Sequence, residues 1–148
     1  MHSNEDIVKS GIYNKGEIEL ESVIKSVKVN PKIKMAGSIH AFTGIVRDSS
    51  INGKPVARMK IDAYDELANK SIFEICERLK QERGIIDVKI VHLKGEFELS
   101  EDLVYVVVAS AHRKEGFDVI SKAVDMYKKE IAVWKREDFN DGTSEWIH

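Results

Sequence analysis

Two stretches of this 148-residue chain carry side chains that could act on an anion. The first is Ser110-Ala111-His112-Arg113-Lys114, which follows the apolar run Val104-Tyr105-Val106-Val107-Val108 and opens a helical pattern. A helix start presents unpaired N–H groups and partial positive charge, so it repels cations and welcomes an anion. Basic residues at that point suggest a bound anion; the plainer alternative is that Arg113 and Lys114 extend into water and His112 is a surface residue. The second stretch is Lys128, near the end of the same helical pattern, followed by Trp134-Lys135-Arg136-Glu137. Trp134 could stack a heterocycle or pin the chain to the core.

The charge balance makes any such site local. From Ala109 to Arg136 seven Lys or Arg stand against four acids, inside a chain of net charge −2. A confined anion site and a solvated lysine face both fit that excess, whereas a field able to hold duplex nucleic acid does not. Cys76 is the only cysteine, which excludes an internal disulfide and a Cys-rich zinc site. It falls in an apolar helical stripe, where a buried, inert thiol is expected rather than a sulfur carrier. His40, His92 and His112 show no HxH or HExxH spacing, and no nucleotide loop or GxSxG elbow is present, so neither a metal nor a bound cofactor is expected. No apolar run reaches the roughly 20 residues that cross a bilayer, and the polar start Met1 to Asp6 lacks a signal-peptide segment; the expectation is a cytoplasmic chain with no membrane partner.

The elements that must position these groups read as an α+β domain. Leu20, Val23, Ile24 and Val27 mark a short amphipathic helix that stops before Asn30-Pro31. Gly37 to Arg47 reads as a strand, Asp48 to Lys54 as an exposed loop around Asn52-Gly53, and Ala57 to Ala63 as a half-buried strand. Ala68, Ile72, Ile75, Cys76 and Leu79 line a second helix, closed by Gly84. Ile85 to His92 and Gly95 to Leu99 read as two extended pieces, and Leu103 to Ala109 as a central strand. A long helix from about Ala111 to Glu130 should bury Phe117, Ile120, Val124 and Tyr127. Val133 to Glu137 is extended, and Asp141-Gly142 marks a turn before Trp146. One domain, 1–148, accounts for the chain, with 1–16 read as a flexible lead and 138–148 as a tail.

Taken together and in order, several of these motifs resemble the large, MoaE-type subunit of molybdopterin synthase. They are Gly37 through Arg47, Tyr64, Val91-His92 before Gly95, Ala111-His112-Arg113 with Phe117, Lys128, Trp134-Lys135-Arg136-Glu137, and Gly142 through Trp146. The resemblance implies an α/β-hammerhead fold with an additional small antiparallel sheet. It implies a homodimer carrying at each end one small ubiquitin-like sulfur-carrier subunit with a Gly-Gly C-terminal thiocarboxylate, a heterotetramer in all. The implied reaction converts a cyclic pyranopterin monophosphate to molybdopterin by adding two sulfurs as a dithiolene, with no reactive cysteine on this chain. By matching position Lys128 and Lys135 would be catalytic. Arg47, His112 and Arg113 would hold phosphate and pterin, with main-chain groups near Ile45 and Val46 and the side chains of Arg136 and Glu137 completing one pocket. Leu93 stands where the family usually has arginine and Ala132 where it often has proline. A non-catalytic module binding a ubiquitin-like partner or a phosphorylated heterocycle is the alternative.

Overall fold

A computed structural model describes residues 7–147. In chain order the elements are β1 (Gly11–Asn14), α1 (Leu20–Lys28), a 3-10 turn (Ile33–Met35), β2 (Ser38–Ile45), β3 (Val56–Ala63), α2 (Asp65–Lys80), β4 (Ile85–Glu98), β5 (Asp102–Ser110), α3 (Arg113–Glu130), β6 (Val133–Phe139) and β7 (Ser144–Ile147). The sheet runs β2-β5-β4-β3-β6-β7, with β1 parallel to β4 and the other pairs antiparallel. The helices flank it, α1 and α3 against β5 and α2 against β4.

β5 is central, as its run of valines requires. From Leu103 to Ser110 every residue is buried, the pattern of a strand covered on both faces. β4 corrects one expectation, because the two extended pieces are one continuous strand. Its first half pairs with β5 and its last residues, Gly95 to Glu98, pair with β3. Gly95 lies at φ 135° where the partners change, a conformation open to glycine and costly to other residues. One strand thereby belongs to two lobes: the valine-rich core around β5, and a smaller antiparallel part built from β3, β6 and β7.

The ends of the chain are also more structured than expected. Within the presumed lead, Gly11–Asn14 pair with Val91 to Lys94, and Ile12 is buried while its N–H donates to Asn69 Oδ1 at 2.8 Å. Four residues are too few for a periodic signal, so tertiary pairing decides them. Met1 to Asp6 and His148 lie outside the described residues. In the presumed tail, Asp141 Oδ1 accepts the N–H and hydroxyl of Thr143, Gly142 lies at φ 86°, and β7 folds back onto β6.

α3 begins and ends as expected, with Tyr127 buried and Ile120 and Val124 packed against the core, but Phe117 is 61% exposed. Gly116 takes the place next to the sheet, since a Cβ there would collide with the His40 ring and the Ser110 hydroxyl. The helix approaches the sheet through that glycine, and Phe117 packs outside, edge to face on His40 at 4.5 Å between ring centres.

Candidate active site

Strand alternation sorts the basic stretch after α3. In β6, Lys135 and Glu137 lie opposite Ile61 and Met59 of β3, and Arg136 lies opposite Lys60. Lys135 and Glu137 therefore share the face of the buried Met59 and Ile61. Arg136 points the other way, where its Nε donates to Asp138 Oδ1 at 2.8 Å and its guanidinium lies 5.7 Å from the Trp146 ring centre.

The Lys135 face forms one wall of a cleft of about 530 Å³, within the usual size of small-molecule sites. Lys128 and Tyr127 enter from the last turn of α3, and Arg47 from the end of β2. Ser50, Ile51 and Asn52 supply a rim, and Glu145 and Trp146 close the far side from β7. The rim is anchored by Lys54, whose Nζ reaches Asp141 at 3.2 Å and donates to Thr143 Oγ1 at 2.8 Å. Ile51, at its tip, is 93% exposed.

The electrostatics of this cleft are unusual for a surface rich in lysine. Burial and the nearby Lys128 cation lower the Lys135 pKa, partly countered by Glu137. Burial raises the Glu137 pKa and Glu145 adds to the rise, while Arg47 and Lys135 pull it down. His92, fully buried in the cleft wall, is held neutral with a pKa of about 4, first by burial and then by Lys135. Desolvation and like charge together make an amine easier to deprotonate.

Not every expected site residue is here. Arg47, Lys128, Lys135 and Glu137 are brought together, but His112 and Arg113 are not. They stand with Lys114 at the other end of α3, around a separate open groove of about 530 Å³ lined also by Gly37, Ser38 and Ala111. Fifteen residues of helix separate Arg113 from Lys128, roughly 22 Å at 1.5 Å per residue. One chain does not close that distance, so within a chain the expected site residues form two separate basic sites. Arg136 lies on the opposite face of β6 from Lys135. The main chain at Val46 is also engaged, its N–H donating to Glu101 O at 3.1 Å and its carbonyl accepting from Ser100 N–H at 2.8 Å. Ile45, half exposed at the strand end, does not line the cleft.

Several cleft residues were given no role from the sequence, although Val91-His92 and Gly142 through Trp146 carry part of the family resemblance. Glu145 and Trp146 arrive through the β6–β7 register, in which Glu137 faces Glu145. Met59 and Tyr127 read as core, and His92 as an ordinary strand residue. Cys76 is buried, with its thiol pKa raised chiefly by burial. Among the described residues no group of three or more His, Cys, Asp or Glu could hold a metal ion, and no helix is long and apolar enough to cross a membrane.

Comparison with known proteins decides the ancestry of this arrangement. The family model described as MoaE protein matches residues 13–130. The chain belongs to the MoaE family. It is 39% identical over 111 residues to the molybdopterin synthase catalytic subunit of Pyrococcus abyssi, covering 75% of this chain and 74% of that protein. It is 34% identical over 111 residues to the subunit of the same name from Pyricularia oryzae, covering 75% of this chain and 60% of the relative. The chain spans half the length of the probable molybdopterin synthase of Haloferax volcanii, to which it is 32% identical over 132 residues and 88% of this chain. The crystal structure of molybdopterin synthase from Staphylococcus aureus superposes with a TM-score of 0.81 at 25% identity, over 96% of this chain and 98% of that one. The family model stops at Glu130, before Lys135 and Glu137; the structural match extends over nearly the whole chain. The α+β fold, a central antiparallel sheet flanked by helices, is that of the MoaE family.

Proposed function

We propose that this chain is the catalytic subunit of a molybdopterin synthase, and that the Lys128–Lys135 cleft is where sulfur passes from a thiocarboxylated partner to a cyclic pyranopterin monophosphate. The observation that carries the reading is the half-buried Lys135, whose pKa is lowered by burial and by Lys128 in a cleft that also holds Arg47 and Glu137. An amine so placed can shed a proton to act as base, or keep it and stabilise negative charge developing on the substrate. Arg47 offers a fork-shaped cation to a phosphate. The exposed tip at Ile51 gives the rim apolar surface on which the tail of a small partner can lie. A structure of subunits 1 and 2 of the Helicobacter pylori molybdopterin-converting factor in complex shares this fold, with a TM-score of 0.65 at 18% identity; a ubiquitin-like partner ending in Gly-Gly is the corresponding subunit proposed for this chain.

The second basic site finds its place in a homodimer. His112 and Arg113 cannot meet Lys135 within one chain, yet a phosphorylated pterin calls for anion donors as well as amines. In the proposed assembly the His112-Arg113 turn of one copy reaches the lysine cleft of the other, and two partners complete a heterotetramer. The test supplies thiocarboxylated partner and cyclic precursor and measures dithiolene product. The native chain is expected to form it, and Lys128→Ala and Lys135→Ala are expected to lose it; undiminished product from both variants would refute the assignment.

A further inference from the structure

His92 is the one cleft residue whose chemistry is left open by the reading above. It is fully buried, at 0% exposure, in a wall it shares with Lys135 and Tyr127. Its Nδ1 lies 3.0 Å from the carbonyl oxygen of Leu93, a bond that an imidazole makes only by donating Nδ1–H. In the neutral ring Nε2 is then a lone-pair acceptor. Among the described residues no group donates to Nε2, and the atom is closed to water. A buried acceptor without a donor is costly, so a donor close at hand has reason to fill it. Tyr127 meets the ring at 5.8 Å with the planes 79° apart, an edge contact that fixes the imidazole in orientation.

Lys135 is the complementary half. It is partly buried, no hydrogen bond or ion pair engages its Nζ among the described residues, and it is the cation whose charge acts on His92. An amine carries several N–H donors, and turning one toward His92 fixes where the others, or its lone pair, are aimed. Hydrogen bonds between catalytic groups often lengthen in the unliganded state and tighten when substrate closes the site.

We infer that His92 is a positioning residue for Lys135, its Nε2 accepting an N–H of the lysine amine from within the cleft wall and so directing that amine at the substrate. This rests on the proposed role of Lys135, but the contact itself can be measured without turnover. Imidazole ¹⁵N resonances are recorded for the native chain and for Lys135→Met. The Nδ1–H neutral tautomer is expected in both, with the Nε2 resonance moved in the native chain relative to the variant. An Nε2 resonance that ignores Lys135→Met would overturn the inference, whatever the activity of the enzyme. The kinetic arm compares His92→Leu, which removes the acceptor, with His92→Gln, whose amide oxygen can restore it. Turnover of His92→Leu is expected to fall by about 100-fold, the scale on which a misplaced reacting group loses rate, with KM little changed and most of the loss recovered in His92→Gln. A His92→Leu chain that melts like the native one and keeps native kcat would also overturn it. If Nε2 responds to Lys135 but no sulfur is transferred by the native chain, the contact stands and the proposed reaction fails.

Discussion

The two ends of α3 carry the same kind of residue and do different things with it. At the start, His112, Arg113 and Lys114 are exposed on an open groove, where water screens them from one another. At the end, Lys128 stands beside a lysine that β6 has drawn partly out of water, and there like charge and burial combine to lower the Lys135 pKa. A basic cluster in solvent can hold an anion. Beside a low-dielectric wall, like charge adds to burial in lowering the pKa of an amine. The difference comes from the sheet: Lys135 shares a strand face with Met59 and Ile61, whereas Arg113 has only the first turn of a helix beneath it.

That contrast can be broken most forcefully at Lys135. Lys135→Met is expected to cut dithiolene formation by about 10²–10⁴-fold, the range typical of a lost acid–base group, with the melt unharmed because a partly buried charge has been removed. Product formation at the native rate would put the chemistry elsewhere. At the opposite end, Arg113→Ala should weaken precursor binding by about 1.5–3 kcal/mol, the worth of one charge-assisted hydrogen bond, and leave folding alone. Calorimetric titration showing native affinity would reduce the helix start to a solvated surface.

A subtler variant tests the cause of the shifted amine. Lys128→Gln removes the neighbouring cation, so the Lys135 pKa should rise back toward the ordinary 10.5. The rate at which Lys135 is acylated should then climb at higher pH than in the native chain. The sign for stability follows: the folded chain holds the Lys135 proton less tightly than the unfolded chain, so this residue contributes stability that grows as pH rises through its lowered pKa toward 10.5. The smallest effect is expected at Arg136, on the far face of β6 and paired with Asp138. Arg136→Ala should cost no more than about 1 kcal/mol in a thermal melt and less precursor affinity than Arg113→Ala.

Legibility in the sequence followed the strength of local periodicity. α2 and β5 could be read because their burial is complete and regular: Ala68, Ile72, Ile75, Cys76 and Leu79 on one stripe, and an unbroken buried run in β5. Phe117 of α3 was misplaced because Gly116 scores as neither apolar nor polar, although its lack of a side chain is what seats the helix against His40. β1 was hidden in four residues that only β4 makes into a strand. Lys128, Lys135, Glu137 and Arg47 could be singled out by their match to the family's motifs, and the separation of Arg113 from Lys128 was in plain view: residues fifteen apart on one helix lie at opposite ends of it. Glu145, Trp146 and His92 needed the hairpin register and the sheet packing, which no local pattern encodes.

The joining of the two basic sites is the central claim, and mixed dimers test it most directly. Lys135→Ala and Arg113→Ala chains, each deficient alone, are dissociated, mixed and reassociated, and product formation is measured with thiocarboxylated partner and cyclic precursor. If each site takes its lysines from one copy and its His112-Arg113 turn from the other, a mixed dimer regains one intact site of two. With half of the dimers mixed, about a quarter of native activity should return. A mixture no more active than its parents would contradict the account.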